Sequence, residues 1–382
     1  MSLRLSRPKV VRCSPVTARS KDQPQDDPQR AAPRRERRLT RRGWTVLLSF
    51  VLLLAFGLLG AFVRVPYVGL GPGPTFDTLG ESEGVPVVTV QGPVRTYETS
   101  GELRMTTVSL SDEVTLFGAL GMWASGRYAL DPREQYFKPG QTQEEVEQEN
   151  TEQFQSSQGQ AETAALRELG KPVKVYADQV VRDGPAADAI EAGDELVEVH
   201  GSQIDEAADV VKALEDTKPG DRVSLTVRTD GQQERTISVR LAERPEDIGG
   251  DFGYLGLTPV DRADVNFDIS IKLEDIGGPS AGLMFALAIM DRLQPEDLVD
   301  GKHVAGTGEI NSAGKVGEIG GISFKLVAAR EAGAEAFLVP AGNCAEAKGN
   351  APDGLELIKV GNLGEAVDAL AALRAGDPIP KC

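Results

Sequence analysis

A run of twenty uncharged residues, from residue 44 to residue 63, constrains the fold of this 382-residue chain more than any other feature. At about 1.5 Å per residue, a helix of that length crosses a hydrocarbon core of about 30 Å. In lipid every backbone polar group must be bonded within the segment, which a helix achieves. The run therefore predicts a transmembrane helix over residues 44–63. A cleaved signal peptide is the alternative, but its apolar region usually has only about 7–15 residues.

The charges on either side of this run predict its orientation. Residues 1–43 hold 13 lysines and arginines against four acidic residues, whereas Arg64 stands alone just after the run. Because basic residues stay on the cytoplasmic side, we expect a disordered cytoplasmic tail over residues 1–43 and an extracytoplasmic chain from Arg64 onward. The whole chain carries a net charge of −17, so the part after the tail is strongly acidic. That charge repels phosphates and argues against nucleic acid as a partner.

Three cysteines fall on different sides of the membrane in this topology. Cys13 lies in the cytoplasmic tail, while Cys344 and Cys382 lie outside, where disulfides persist. These two can form a bridge that ties the C-terminus to the last domain. Spacing alone does not establish that their Cα atoms come within reach of each other.

The region from residue 64 to residue 165 gives weaker signals. Residues 69–74, GLGPGP, predict a turn-rich linker, and the runs 85–90 and 103–110 alternate as strands do. Residues 141–163 are rich in Gln and Glu and predict a solvated helix or a loop, without chemistry. We treat residues 64–165 as an extracytoplasmic N-terminal region that either forms a domain or wraps around the last one.

Between residues 171 and 241, short alternating strands surround one amphipathic helix. The helix is predicted over residues 205–215, and one of its faces carries four apolar side chains: Ala207, Val210, Val211 and Leu214. The runs GPAA, AGDELVEVHG and KPGDRVSLTV resemble a PDZ domain, which we assign to residues 166–245.

The PDZ resemblance implies a site for an extended peptide end, which adds as a strand to a sheet edge beside the helix. The loop that holds the peptide carboxylate should precede the first strand, near Leu169 and Gly170. No Gly-Leu-Gly-Phe-like signature stands there, so the peptide-binding residues stay unassigned. A small β-rich spacer without a ligand is the alternative.

The last part of the chain places a serine between two glycines and an apolar helix. Residues 267–273 alternate as a strand, and residues 279–293 are apolar nearly all round, as in a buried helix. Ser280 would lie at the helix N-terminus, where free N–H groups and the helix dipole stabilise a developing oxyanion. Gly277 and Gly278 would let the backbone approach a substrate carbonyl closely. A serine that only caps the helix is the alternative.

A lysine at the start of another helix can supply the base. Lys325 falls in the first turn of a helix that follows Gly320 and Gly321. The helix dipole disfavours a cation there, and burial also favours the neutral amine, so the pKa of Lys325 should fall. A solvated lysine at a fraying helix start is the alternative.

Histidine is nearly absent from the chain. With only His200 and His303, a Ser-His-Asp triad has few ways to assemble, which favours a lysine base. Neither histidine lies in a cluster with the spacing of metal ligands. We expect no metal and no cofactor.

The residues around this serine and lysine resemble the Lon family of serine proteases. Four runs carry the resemblance: GGPSAG with Ser280, TGE with Thr307, GGISFKLVAAREAG with Lys325, and FLVPAGN. The lysine follows the serine by 45 residues and the threonine by 18, as in that family. Many Lon proteases carry an acid where this chain has Gly277, a difference that bears on the polarity of the oxyanion loop.

The Lon resemblance implies a role for each of the three polar residues. Ser280 attacks the peptide carbonyl, Lys325 takes its proton and later protonates the leaving amine, and Thr307 orients the lysine amine. No G-x-x-x-x-G-K-[ST] motif occurs in the sequence, so we expect no ATP hydrolysis.

The expected fold class is mixed α+β and α/β. It combines an N-terminal transmembrane helix, a PDZ-like β-rich domain and a Lon-type proteolytic domain over residues 250–376. This order resembles the membrane-anchored PDZ-Lon proteases of bacteria.

The resulting hypothesis is a single-pass, ATP-independent serine endopeptidase of the cell membrane. It would cut unfolded or flexible extracytoplasmic proteins, with the PDZ domain recruiting or gating substrates, and the resemblance further implies a homo-oligomer. Two alternatives stay open: a catalytically silent PDZ adaptor that delivers clients to another protease, and an acyltransferase or esterase that uses the same serine and lysine.

Overall fold

A computed structural model describes residues 40–138, 140–229, 231–245, 248–273 and 276–382. The expected cytoplasmic tail up to residue 39, with Cys13, lies outside the described residues. The chain divides into two compact units, one up to Gly57 and one from Leu58 onward.

The described part of the chain contains eight α-helices and eighteen strands. The helices are α1 Arg41–Phe62, α2 Leu116–Ser125, α3 Gln143–Glu168, α4 Ala207–Lys212, α5 Gly282–Leu293, α6 Ile322–Glu331, α7 Cys344–Asn350 and α8 Leu363–Ala375. The first nine strands are β1 Tyr67–Asp77, β2 Glu81–Ser82, β3 Val85–Pro86, β4 Val88–Gln91, β5 Glu102–Ser111, β6 Ala129–Pro132, β7 Val173–Val180, β8 Glu195–Val199 and β9 Ser202–Gln203. The other nine are β10 Arg222–Arg228, β11 Arg235–Arg240, β12 Leu257–Ala263, β13 Asp268–Ile271, β14 His303–Gly306, β15 Glu309–Ile310, β16 Val316–Gly317, β17 Ala336–Pro340 and β18 Glu356–Val360.

Helix α1 covers the apolar run and begins at Arg41, three residues before the expected start. It has 22 residues and a window of mean hydropathy 2.5, long and apolar enough to cross a membrane. Gly60 is the only buried residue of this helix. By length and composition α1 is therefore a candidate membrane span.

One six-stranded sheet, here called sheet A, joins strands from distant parts of the chain in the order β18-β17-β14-β5-β1-β6. Strands β18, β17, β14 and β5 run parallel, while β1 pairs antiparallel with β5 and with β6. A separate ladder pairs β4 with β13. Residues 64–165 thus supply three of the six strands of sheet A, and the other three come from the C-terminal region.

Helices cover both faces of sheet A, as the burial of β17 shows. All five residues of β17 are buried. Ala336 and Leu338 belong to a core with α3, α5 and α8, while Phe337 and Val339 belong to a second core with α6 and α7. Full burial with alternate residues in two cores is the pattern of a parallel strand covered on both sides.

A second sheet, here called sheet B, has the order β11-β10-β8-β7-β12, with β9 beside β8, and encloses a core of its own. Its helix α4 is shorter than the expected helix over residues 205–215. Val210 and Leu214 are buried, but Val211 is 41% exposed, so its placement on the apolar face was wrong. A short helix turns only a narrow face to the sheet, and Val211 lies about 100° around the axis from Val210.

The linker expected at residues 69–74 is also wrong, because these residues lie within strand β1. Their glycines leave room for neighbouring side chains. A Cβ on Gly69 would meet the sulfur of Met122, and a Cβ on Gly71 would meet the ring of Tyr128. The register with β5 shifts in mid-strand, where a bulge accommodates the prolines. Glycine and proline here mark close packing and a bulge rather than a turn.

The Gln- and Glu-rich segment is helical rather than a loop. Helix α3 has 26 residues and starts with a capping box at Thr142. It buries Phe154, Ala161 and Ala164 in the core that contains α5, and farther along it packs on β12 of sheet B. Helix α3 therefore contacts the core beside sheet A and strand β12 of sheet B, and it leads directly into β7.

A disulfide holds the C-terminus in place. Cys344, the first residue of α7, is bonded to Cys382, and their Cα atoms lie 5.1 Å apart. Next to the bridge, Lys381 pairs with Ile358 of β18. The last residues are thereby attached to the edge of sheet A.

Candidate active site

Ser280 lies in a turn just before helix α5 rather than within the helix. The helix begins later than expected, at Gly282, with Ala281 as its N-cap and no side chain capping it. Ser280 therefore does not act as the capping residue. Its carbonyl accepts hydrogen bonds from the Gly308 N–H at 2.8 Å and from the Thr307 hydroxyl at 3.0 Å. These bonds hold the serine backbone against the segment that follows β14.

Lys325 reaches Ser280 from the first turn of helix α6. Its Nζ lies 2.8 Å from Ser280 Oγ and 3.0 Å from Thr307 Oγ1. The lysine is only 3% exposed, and both of these partners are neutral hydroxyls. Three segments far apart in the sequence thus bring together the three side chains that the motifs singled out.

Burial lowers the pKa of Lys325 from its ordinary value of 10.5 to about 8, while the charge of Glu309 acts in the opposite direction. With such a pKa, about one lysine in ten is neutral at pH 7, against about one in three thousand for an ordinary lysine. The N-terminal end of α6 also disfavours a cation. The amine is therefore suited to accept a proton from the hydroxyl beside it.

The start of helix α6 depends on a glycine. Gly321 is the N-cap and has φ 67°, a conformation that other residues adopt only with strain. A Cβ at this position would lie 2.8 Å from the side chain of Val108 in β5. The glycine lets α6 begin against sheet A, which places Lys325 beside the serine.

Helix α3 braces the glycine loop before Ser280, a contact that the sequence did not predict. The Gly278 N–H donates to the Asn150 carbonyl at 3.0 Å, and a Cβ on Gly277 would lie 2.7 Å from the Asn150 Cβ. Ser157 donates its hydroxyl to the Pro279 carbonyl at 3.0 Å. Gly278 has φ +84°, a left-handed conformation that glycine adopts without strain. Nothing in the Gln- and Glu-rich run distinguishes the two bracing residues.

Two backbone donors next to the nucleophile are unpaired. Within the part of the chain that the structure describes, the N–H groups of Ser280 and Ala281 have no protein acceptor. The N–H of Gly278 is already bonded to helix α3. An oxygen bound beside Ser280 could therefore accept from the first two groups without breaking an existing bond.

Ser280 and Lys325 line a cleft of about 870 Å³. That volume is within the range of sites that bind a peptide segment or a small molecule. Strands β1 and β5 contribute much of its apolar lining: Leu70, Phe76, Met105, Val108 and Leu110. The region 64–165 therefore builds part of the site, which its sequence did not indicate. Over the described ranges, no group of three His, Cys, Asp or Glu side chains could hold a metal ion.

The carboxylate-binding loop expected near Leu169 and Gly170 is not found there. The Leu169 N–H donates to the Ala165 carbonyl and Gly170 has φ +71°, so these residues form the C-terminal cap of α3. The edge strand that packs beside α4 is instead β12, which follows the run GYLG at residues 253–256. The loop was expected before the first strand of sheet B, but the edge strand beside α4 is the last strand of that sheet in the chain.

Asp261 in β12 connects several parts of the molecule. Its side chain is 5% exposed, and its Oδ1 accepts the N–H of Ala207, the first residue of α4, at 2.8 Å. Oδ2 accepts the Ser312 hydroxyl from the turn between β15 and β16, and it lies 3.5 Å from Arg167 of α3. Thr163 of α3 donates to the Asp261 carbonyl at 3.2 Å. The sequence alone did not single out this residue.

Comparisons with known protein families match this architecture. The family described as PDZ domain matches residues 146–241, and the Lon protease (S16) C-terminal proteolytic domain matches residues 272–372. The chain thus carries a Lon-type proteolytic domain together with a PDZ domain, and the resemblance drawn from the motifs is confirmed. These domains support a serine-type peptidase.

The relatives are similar over part of their length. The Lon protease of Rhizobium meliloti is 32% identical over 197 residues, which cover 47% of this chain and 24% of that protein. The Lon protease of Roseiflexus castenholzii is 46% identical over 118 residues, 31% of this chain and 13% of that protein. The match thus spans about a quarter or less of these relatives. Among solved structures, the PDZ domain of an SdrC-like protein from Listeria monocytogenes is 25% identical with a TM-score of 0.21, covering 23% of this chain and 87% of that one.

Proposed function

We propose that this chain is a membrane-anchored, ATP-independent serine endopeptidase in which Ser280 is the nucleophile and Lys325 the general base. One observation carries the proposal. The buried Lys325 Nζ lies 2.8 Å from Ser280 Oγ and 3.0 Å from Thr307 Oγ1, beside a cleft of about 870 Å³.

The first half of the reaction would form an acyl-enzyme. The neutral Lys325 amine takes the proton of Ser280 Oγ while that oxygen attacks the scissile carbonyl carbon. The resulting ammonium then gives the proton to the leaving amine, and the C–N bond breaks. Thr307 accepts a hydrogen bond from the lysine amine and donates to the Ser280 carbonyl, so it would keep the base in line with the nucleophile.

The second half would regenerate the enzyme. Lys325 takes a proton from a water molecule that attacks the ester carbon, and then returns it to Ser280 Oγ as the acyl group leaves. In both halves the unpaired N–H groups of Ser280 and Ala281 would stabilise the oxyanion, aided by the positive end of the α5 dipole. Gly277 and Gly278 would shape the oxyanion loop. The Gly278 N–H would join the donors only after leaving Asn150.

The PDZ domain would recruit or gate substrates. An extended peptide end would add to the edge of β12 beside α4, with residues 253–256 as the loop before that strand. Thr163 of α3 bonds Asp261 of β12, and Asn150 of the same helix bonds Gly278 of the serine loop. A peptide on the edge strand could therefore change the loop beside Ser280 through one helix.

The proposed topology puts the N-terminus in the cytoplasm and both domains outside. The basic tail, the apolar helix α1 and the Cys344–Cys382 disulfide support this topology, because disulfides persist outside the reducing cytoplasm. Without a nucleotide-binding motif, the substrates would be unfolded or flexible protein segments rather than stable folds. The active form would be a homo-oligomer, as the Lon resemblance implies.

The test uses the full-length protein in detergent micelles with unfolded casein and no ATP. The wild type should cut casein, whereas Ser280→Ala and Lys325→Ala should lose at least about 10³-fold in rate. Matched controls are Ser323→Ala, which changes a serine in the first turn of α6, and Lys359→Ala, which changes an exposed lysine of β18. Both should cut at the wild-type rate.

Each other outcome points to a different function. Full activity in either Ser280→Ala or Lys325→Ala would overturn the proposed chemistry. Absence of cleavage by the wild type, with and without a PDZ-binding peptide, would favour the adaptor. Turnover of an ester probe without any cleavage of peptides would favour an esterase or acyltransferase.

A further inference from the structure

Helix α2 turns its apolar face outward. Four large side chains of this ten-residue helix are exposed by 45, 51, 51 and 74%: Leu116, Phe117, Leu120 and Trp123. Their spacing places them on one side of the helix, the pattern that normally faces a protein core. Ala119, on another side, is buried. Helix α2 therefore exposes the apolar face that its sequence pattern would normally bury in a protein core.

This exposed face begins at the end of the candidate membrane span. The Leu116 N–H donates to the Val63 carbonyl, one residue after the end of α1, at 3.3 Å. A Cβ on Gly60 would lie 2.5 Å from the ring of Phe117. The last turn of α1 and the first turn of α2 are therefore in direct contact.

We propose that α2 is an interfacial helix, which docks the Lon-type domain onto the outer surface of the bilayer that α1 spans. This inference rests on the membrane anchoring proposed above. Its partner is the lipid of that membrane, because a face that starts where the span ends lies at the boundary between lipid chains and headgroups. Such helices bury their apolar face by about 5–10 Å, and Trp is enriched at this depth because its ring is apolar with one polar edge. Trp123, the most exposed of the four, would sit there.

Docking would also set where the cleft lies. Helix α2 leads into β6, which pairs with β1, and β1 lines the cleft at Leu70. Because this path is short and built from paired strands, the cleft would be held close to the membrane surface. The segments that reach Ser280 most readily would then be flexible extracytoplasmic chains near the membrane.

The tryptophans allow a direct test, because the chain contains only Trp44 and Trp123. In full-length Trp44→Phe in phosphatidylcholine vesicles, Trp123 is the only indole. Lipids brominated near the headgroup should quench its emission more strongly than lipids brominated near the chain ends. Leu120→Glu in this background should remove most of the quenching. Val211→Glu, which changes an exposed aliphatic residue of helix α4, should leave it unchanged.

A second variant separates failure of this inference from failure of the anchoring. In Trp123→Phe, quenching of Trp44 reports on the insertion of α1. Quenching of Trp44 without quenching of Trp123 would leave the span intact and overturn the interfacial helix. Absence of quenching at both would overturn the anchoring and this inference together. Trp123 could also be protected from iodide without being quenched by any brominated lipid. That result would show that protein, such as a second copy of this chain, covers the apolar face of α2, and it would overturn the interfacial helix.

Discussion

Two charged side chains are almost equally buried, Lys325 in the Lon-type domain and Asp194 in the PDZ domain, but their neighbours differ. Lys325 is 3% exposed and bonds two neutral hydroxyls. Asp194 is 1% exposed and accepts hydrogen bonds from the guanidinium of Arg235, the hydroxyl of Thr229 and the N–H of Glu191. The carboxylate is compensated by an opposite charge, whereas the amine is not, and burial lowers its pKa to about 8. Burial of a charge serves structure in one region and chemistry in the other.

The strongest test of this comparison replaces each residue by an uncharged one. Lys325→Met should reduce casein cleavage by about 10³-fold or more, because the base is lost. It should also raise the free energy of unfolding at pH 7 by about 1–3 kcal/mol, since an uncompensated ammonium no longer has to be buried.

Asp194→Ala should have the opposite pair of effects. Removing one partner of a buried ion pair should lower the stability of the PDZ domain by about 2–4 kcal/mol, with little change in the chemistry at Ser280. Urea unfolding and casein cleavage measure both quantities. A loss of stability in Lys325→Met would mean that the lysine is held for structure, and the comparison would fail.

The pH dependence of the reaction sharpens the comparison. Lys325 must be neutral to act as base, so kcat/KM should fall about tenfold per pH unit below pH 8 and level off above it. Between about pH 8, where half of the lysine is neutral, and about pH 6, the loss should be about 50-fold. Because Glu309 raises the pKa of Lys325, Glu309→Gln should move the profile to lower pH. If kcat/KM for a fluorogenic peptide did not change with pH, the assignment of Lys325 as base would be contradicted. A pH profile that Glu309→Gln shifts to higher pH would contradict it as well.

Thr307 should have a smaller effect. Thr307→Val removes the oxygen that accepts from Lys325 and donates to the Ser280 carbonyl, so kcat/KM should fall by about 10- to 100-fold. Thr307→Ser keeps the hydroxyl and should recover most of the activity. If the residue only filled space, Val would be the better replacement, and the order of the two variants would be reversed.

Asp291 tests whether an uncompensated buried charge by itself indicates a function. This residue of α5 is 1% exposed, its Oδ1 accepts the Leu298 N–H, and its Oδ2 has no partner within the described residues. Burial raises the pKa of Asp291 from 3.8 to about 6, so the unfolded chain loses this proton first and stability falls as the pH rises from about 4 to about 6.

Asp291→Asn should therefore raise the free energy of unfolding at pH 7 by about 1–3 kcal/mol and remove this part of the pH dependence. Cleavage should change by less than about twofold, because the side chain does not line the cleft. Loss of cleavage without loss of fold would assign this residue a part in the reaction. Thermal melts at several pH values and casein assays distinguish the two results.

Sequence patterns predicted correctly those helices whose formation depends mainly on residues close together in the chain. The apolar run became α1, and the motif around Lys325 became a helix that starts after a glycine pair. The linker predicted at residues 69–74 was wrong because glycine and proline also occur in closely packed strands and at bulges, not only in turns. At Gly69 and Gly71 the missing Cβ makes space for side chains from distant residues, which no local pattern shows.

The sequence by itself determined which residues are candidates for the chemistry, since Ser280, Thr307 and Lys325 each stand in a short recognisable motif. It also determined the two domain types and a helix long and apolar enough to cross a membrane. The tertiary structure decided how residues 64–165 join sheet A, how α3 braces the serine loop and how α2 turns its apolar face outward. These features depend on contacts between segments far apart in the chain. A hydrogen bond such as that from Gly278 to Asn150 leaves no periodicity in either segment, so only the packed structure contains it.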